Sequence, residues 1–267
     1  MKRLSGVVFN STILFVCAAT LQMTLHELGH FVAAILVHAK NVTLHHNFVS
    51  TDLFAMSTSR AVFYSGAGPL VSLLIGICFH LVCYRQKKRG LAFLFKLYMA
   101  VFGYIGFLGY LAIAPLFTYG DTGYIFQALH FPTWLTIVIA IMGALVLYLI
   151  ISKLMRFFVE MGTGSIIADK KSRRTFMRAL ICYPLYIGIL VTTFLNLPVP
   201  SVLSLIYPIF SPFALMWAYD SAIAKPYPTD NMSIDINGIN RIQPVWLIIL
   251  FLIIVLNRFL VYGINVN

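Results

Sequence analysis

Six stretches of this chain, at roughly 7–37, 61–84, 91–118, 132–151, 179–197 and 243–263, stay apolar long enough to cross about 30 Å of hydrocarbon. A segment in that solvent must satisfy its own backbone polar groups, which for a single crossing means an α-helix. A seventh stretch, 198–219, carries Pro198, Pro200, Pro208 and Pro212, so it either crosses as a broken helix or turns back. Composition points the same way. The chain is 60% hydrophobic and 10% charged, with a mean hydropathy of +0.90, which excludes a soluble domain of this length. The expected fold is all-α, a polytopic membrane protein with six or seven transmembrane helices. The loop after the first span mixes β-branched and polar residues (Val42-Thr43-Leu44, Phe48-Val49-Ser50-Thr51) and predicts a short β-hairpin there.

A formal charge of +11 would suggest nucleic acid as the partner of a soluble protein, but the placement of the charges argues against it. Lys2 and Arg3 precede the first span. Arg85, Lys87, Lys88 and Arg89 separate spans two and three, and Lys153, Arg156, Lys170, Lys171, Arg173, Arg174 and Arg178 separate spans four and five. All three clusters fall on one side if the chain starts there, and the positive-inside rule names that side the cytoplasm. The expected location is the plasma membrane of a prokaryote, with the N-terminus cytoplasmic, lipids around the spans and no nucleic acid. The opening Met1-Lys2-Arg3 and the Cys17-Ala18-Ala19 that follows imitate a signal peptide, yet the apolar run continues far past a signal's core of about 7–15 residues. The first span is therefore expected to be retained. The four cysteines, Cys17, Cys78, Cys83 and Cys182, lie in apolar spans without metal-ligand spacing and read as small buried hydrophobes.

Within the first span stands Leu25-His26-Glu27-Leu28-Gly29-His30. Residues four apart share a helix face, so His26 and His30 can offer two imidazole nitrogens to one metal ion while Glu27 stands beside them as a general base. Catalytic zinc keeps three protein ligands and an open position, where it lowers the pKa of a bound water to about 7 and polarises the carbonyl under attack. Seven histidines and two glutamates in 267 residues would produce H-E-x-x-H by accident on the order of one time in a thousand. Ionisable groups at membrane depth are costly and are kept for function, although polar groups there also bond neighbouring helices.

A third ligand must come from the remaining acidic residues. Glu160 and Asp169 fall in the basic loop on the far side, and Asp220, Asp230 and Asp235 in a polar loop near the end, which leaves Asp52 and Asp121. Asp121 is embedded in apolar sequence among glycines, as a buried ligand would be, and could equally cap a helix over 122–130. His38, His45 and His46 read as solvated loop histidines. Tyr119 and His130 are candidates for lining a polar path to the metal or steadying an oxyanion. Span two opens with Ser65-Gly66-Ala67-Gly68-Pro69-Leu70, a Gly-Pro turn at the level of the histidines, and Gly103, Gly106 and Gly109 leave a smooth groove on span three for a neighbouring helix.

The H-E-x-x-H in a membrane helix, the Gly-Pro-Leu turn and the aspartate–glycine element about a hundred residues on together resemble the site-2 protease family of intramembrane zinc metalloproteases, over about residues 20–130. The resemblance implies one Zn2+ held by His26, His30 and Asp121, water activation by Glu27, substrate contacts from Gly68, Pro69 and Ser72, and cleavage of a transmembrane or membrane-adjacent protein or peptide. Ser72 stands where the family usually has Asn, and Ala114-Pro115 with Asp121-Thr122-Gly123 stands where it usually has Asn-Pro and Asp-Gly. On this reading residues 1–131 form the catalytic core and 132–267 add further helices to the same membrane domain. The 220–242 loop, with Pro226, Pro228 and Asn237-Gly238, either gates substrate entry or only connects. The rival readings are an inactive protease-like scaffold or chaperone and a metal-bearing transporter.

Overall fold

A computed structural model describes residues 4–162, 164–224 and 239–266. The chain is mainly helical, with five helices long and apolar enough to cross a membrane among the described residues. These are α1 (Ser5–Leu36), α2 (Thr58–Arg85), α3 (Leu91–Ile113), then, after the short α4 (Asp121–Ala128), α5 (Thr133–Val159) and α6 (Lys170–Leu195). The predicted fifth run at 179–197 starts nine residues early, because the charged turn Lys170-Lys171-Ser172-Arg173 is itself helical. The Asp169 side chain caps it by accepting from the Ser172 backbone N–H at 2.7 Å. That cap, a hydrogen bond to the charged form, holds the Asp169 carboxyl below its usual range.

Side-chain contacts separate the two ends of the bundle. At the basic end, the Arg89 guanidinium donates to Glu160 at 2.9 Å, tying the loop after α2 to the end of α5, and both residues are buried. Asn10, near the start of α1, donates to the carbonyls of Ile239 and Arg241 at 2.7 and 2.9 Å. At the opposite end, β1 (Val42–Leu44) and β2 (Val49–Ser50) form the predicted antiparallel hairpin, with Thr43 opposite Ser50.

The proline-rich stretch runs the length of the bundle. It leaves α6 at Asn196, whose carbonyl accepts from His46 and Asn47 of the hairpin, and descends through Val202–Leu205, Ile206–Phe210, Ser211–Phe213, Ala214–Trp217 and Tyr219–Ala224. Near its far end the Ile223 carbonyl accepts from Arg173 at 3.0 Å, at the basic end. Pro208 and Pro212 cannot donate to a helical ladder, which accounts for a row of short turns in place of one helix. The last helix, α7 (Pro244–Leu260), returns alongside α1. It ends in a strand the sequence reading missed, β3 (Ile264–Val266), which pairs antiparallel with β1 and makes the sheet order β2-β1-β3. The Asn237-Gly238 turn lies outside the described residues.

Glycines let the first three helices approach closely. A Cβ on Gly76 would stand 2.9 Å from the Tyr104 backbone nitrogen, and one on Gly103 would strike the Gly76 backbone. Gly103 and Gly106 thus serve the groove expected of them. Gly109 does not, since a Cβ there meets nothing nearer than Ile105 Cγ2 at 3.5 Å. Around it, Ile105–Gly109 form one π-helical turn, the kind of local widening that re-aims the residue beyond it. That residue is Tyr110.

Candidate metal centre

Because His26 and His30 are one turn apart on α1, their rings face the same side, and both are buried. Asp121 is the first residue of α4. Gly120, not Asp121, occupies the N-cap, and the Asp121 carboxylate instead reaches both imidazoles: Oδ2 lies 3.1 Å from His26 Nε2 and 3.3 Å from His30 Nε2. The two Nε2 atoms are 3.1 Å apart. Two elements far apart in the chain, α1 and α4, therefore bring three potential ligand atoms within 4.8 Å of one another, close enough to hold a metal ion. Asp52, the other acidic candidate, is engaged elsewhere with the Asn41 amide at 2.8 Å.

Outer hydrogen bonds fix which nitrogen of each ring is free. His30 Nδ1 is 2.8 Å from the Tyr64 carbonyl, which can only accept, so Nδ1 carries the hydrogen. For His26 the partner is Ser72 Oγ, at 2.9 Å. Ser72 gives its single hydrogen to the Gly68 carbonyl at 3.1 Å and accepts from Gln22 Nε2 at 2.8 Å. Its remaining lone pair takes the His26 Nδ1 hydrogen. With Nδ1 so engaged, each ring in its neutral form presents its Nε2 lone pair to the other ring and to a carboxylate oxygen. Three such atoms packed this closely call for a positive charge among them, a proton or a metal ion. Ligands bound tetrahedrally at about 2.0–2.1 Å would stand about 3.3–3.4 Å apart, so the donor set and its spacing fit a divalent ion. Replacing Ser72 by Ala would strand the His26 Nδ1 hydrogen. We expect metal affinity to fall about 10–100-fold in Ser72→Ala, measured by competition with a chromophoric chelator.

Gly68 and Pro69 lie inside α2 and do not form a turn. A Cβ on Gly68 would collide with Nε2 of both imidazoles, so only glycine lets α2 lie against the centre. Ser72 is fully buried with its hydroxyl committed as described, and this gives its position a definite task, that of orienting His26. Tyr110 stacks on His26 with ring centroids 5.3 Å apart, and the Thr122 hydroxyl donates to the Tyr110 carbonyl at 2.9 Å, which ties the start of α4 to the end of α3.

Glu27 points elsewhere. It contributes to the wall of a cavity of about 460 Å³ with Met23, Tyr110, Ile113 and Tyr207, and accepts no hydrogen bond among the described residues. Asn47, Thr118, Asn196 and Ser204 add polar groups to the same wall. Tyr119 lies along this cavity and is exposed, whereas His130 is exposed at the end of α4 and takes no part. His46 corrects the expectation of a solvated histidine: it is 2% exposed and hydrogen-bonded through Nε2 to the Asn196 carbonyl at 3.0 Å. Burial pushes its imidazole pKa down.

Gln22, Tyr64, Tyr110 and Tyr207 surround the centre and were not singled out from sequence. Gln22 alone left a trace, as a polar residue one turn before His26 in an otherwise apolar run. No family model, curated protein or solved structure matches this chain.

Proposed function

We propose that this chain is an integral membrane zinc metalloprotease of the site-2 protease type, hydrolysing a peptide bond of a transmembrane or membrane-adjacent substrate. The observation that carries this reading is the pairing of three converging donors, His26, His30 and Asp121, with a carboxylate, Glu27, that faces a cavity beside them and is not itself a donor. Two imidazoles and one carboxylate are a ligand set that suits zinc. Zinc held there would polarise the substrate carbonyl and acidify water. Glu27 takes the proton of the attacking water and delivers it to the leaving amine. The cavity accepts the substrate in extended form, since a helical backbone would bury its carbonyls in its own hydrogen bonds. An inactive scaffold would have no use for a free carboxylate at that position, and a transporter is disfavoured because no second half of the sequence mirrors the first.

Basic clusters at one end of the bundle support a cytoplasmic N-terminus, and on that reading the metal centre lies toward the opposite face. The broken stretch and α7, added to the five long helices among the described residues, support a reading of seven crossings.

The test is made on full-length protein in detergent. We expect about one zinc per chain by elemental analysis and cleavage of a membrane-derived peptide; chelation should slow cleavage about 100-fold, and added zinc should restore it. Protein without stoichiometric metal, or cleavage indifferent to its removal, would overturn the proposal.

A further inference from the structure

Gln22 reaches in two directions. Its Nε2 donates to Ser72, while its Oε1 accepts from the Tyr207 hydroxyl at 3.0 Å, across 185 residues of sequence. Gln22 is 1% exposed and Ser72 is fully buried. A Cβ on Gly106 would stand 2.6 Å from Gln22 Nε2 and 2.8 Å from Ser72 Oγ, so α3 closes directly over the pair and leaves no room for water between them. With water excluded, the Tyr207 hydroxyl holds the amide with its nitrogen toward Ser72. A reversed amide would put oxygen there and compete for the hydrogen that Ser72 gives to Gly68.

Tyr207 belongs to the broken stretch, in the short helix Ile206–Phe210, and its ring forms part of the cavity wall beside Glu27. Its ring centroid lies 5.6 Å from that of Tyr110, which stacks on His26. We propose that Tyr207 is a positioning residue that acts on the metal ligand His26 through Gln22 and Ser72, so that metal binding and the seating of Ile206–Phe210 are coupled. Coupling of this kind is reciprocal: whatever loosens the segment weakens metal binding, and metal steadies the segment. A substrate that displaces Tyr207 on entering the cavity would therefore be felt at His26. The inference rests on the metal reading above and adds a link to it.

The experiment uses full-length protein in detergent with zinc as the probe, and reads affinity by chelator competition and amide hydrogen exchange over residues 202–210. Tyr207→Phe keeps the ring and removes only the hydroxyl; we expect zinc affinity to fall about 10-fold. Gln22→Leu should lose about 10–100-fold. In the double variant the loss should equal that of Gln22→Leu alone, because the hydroxyl acts only through the amide. Zinc should slow exchange over 202–210 in the wild type and have little effect there in Gln22→Leu. Unchanged affinity in Tyr207→Phe, losses that multiply in the double variant, or exchange that zinc slows equally in both proteins would each overturn the coupling. Should Gln22→Leu fail to fold, Tyr207→Phe against the wild type decides by affinity and by exchange. A wild type that binds no zinc would instead overturn the metal reading.

Discussion

Glu27→Gln should purify with its full complement of zinc and cleave a membrane peptide about 10³-fold more slowly than the wild type. The amide keeps the size and burial of the side chain, so the packing of α1 is untouched. It cannot take a proton, and positioned general bases contribute about 10²–10⁴ in rate. Metal should be retained because the three converging atoms belong to His26, His30 and Asp121, and Glu27 faces the cavity. Turnover numbers and elemental analysis on one preparation separate the outcomes. Unchanged turnover would remove Glu27 from the chemistry, and lost zinc would make it a ligand.

A second large effect is expected from one methyl group. Gly68→Ala places a Cβ against both ligating nitrogens, and the rings would have to turn away from Asp121 to admit it. Metal affinity should drop at least about 100-fold, since the ligands themselves are displaced and not only their outer partners. Gly66→Ala is the control two residues away. Its Cβ meets only Ile125 Cδ1, at an ordinary 3.7 Å, and metal binding should be unaffected. Equal behaviour of the two variants would contradict the close approach of α2 to the centre.

What could be read from sequence follows from the range of the interactions involved. His26 and His30 were legible because a helix turn relates them locally. Asp121 emerged only by elimination among eight acidic residues, and the approach of its carboxylate to both imidazoles could not be read until α4 was set against α1. Gln22 and Tyr207 were not legible, since a glutamine in one apolar run and a tyrosine in another give no hint that they touch. Length and hydropathy marked the apolar runs, and the prolines of 198–219 pointed to a broken helix or a turn back; only the contacts at its two ends, with His46 and with Arg173, chose between them. The three-residue strand β3 carries no signal of its own and exists because β1 offers it an edge.

The candidate metal donors come from the first half of the polypeptide, and the cavity beside them is completed by residues of the second half. His26, His30, Ser72 and Asp121 all precede Phe131, while Asn196, Ser204, Ile206 and Tyr207 complete the enclosure. Synthesis from the N-terminus therefore finishes every ligand before the covering residues exist. If the centre holds an ion, that ion can enter before the residues that complete the cavity have been made.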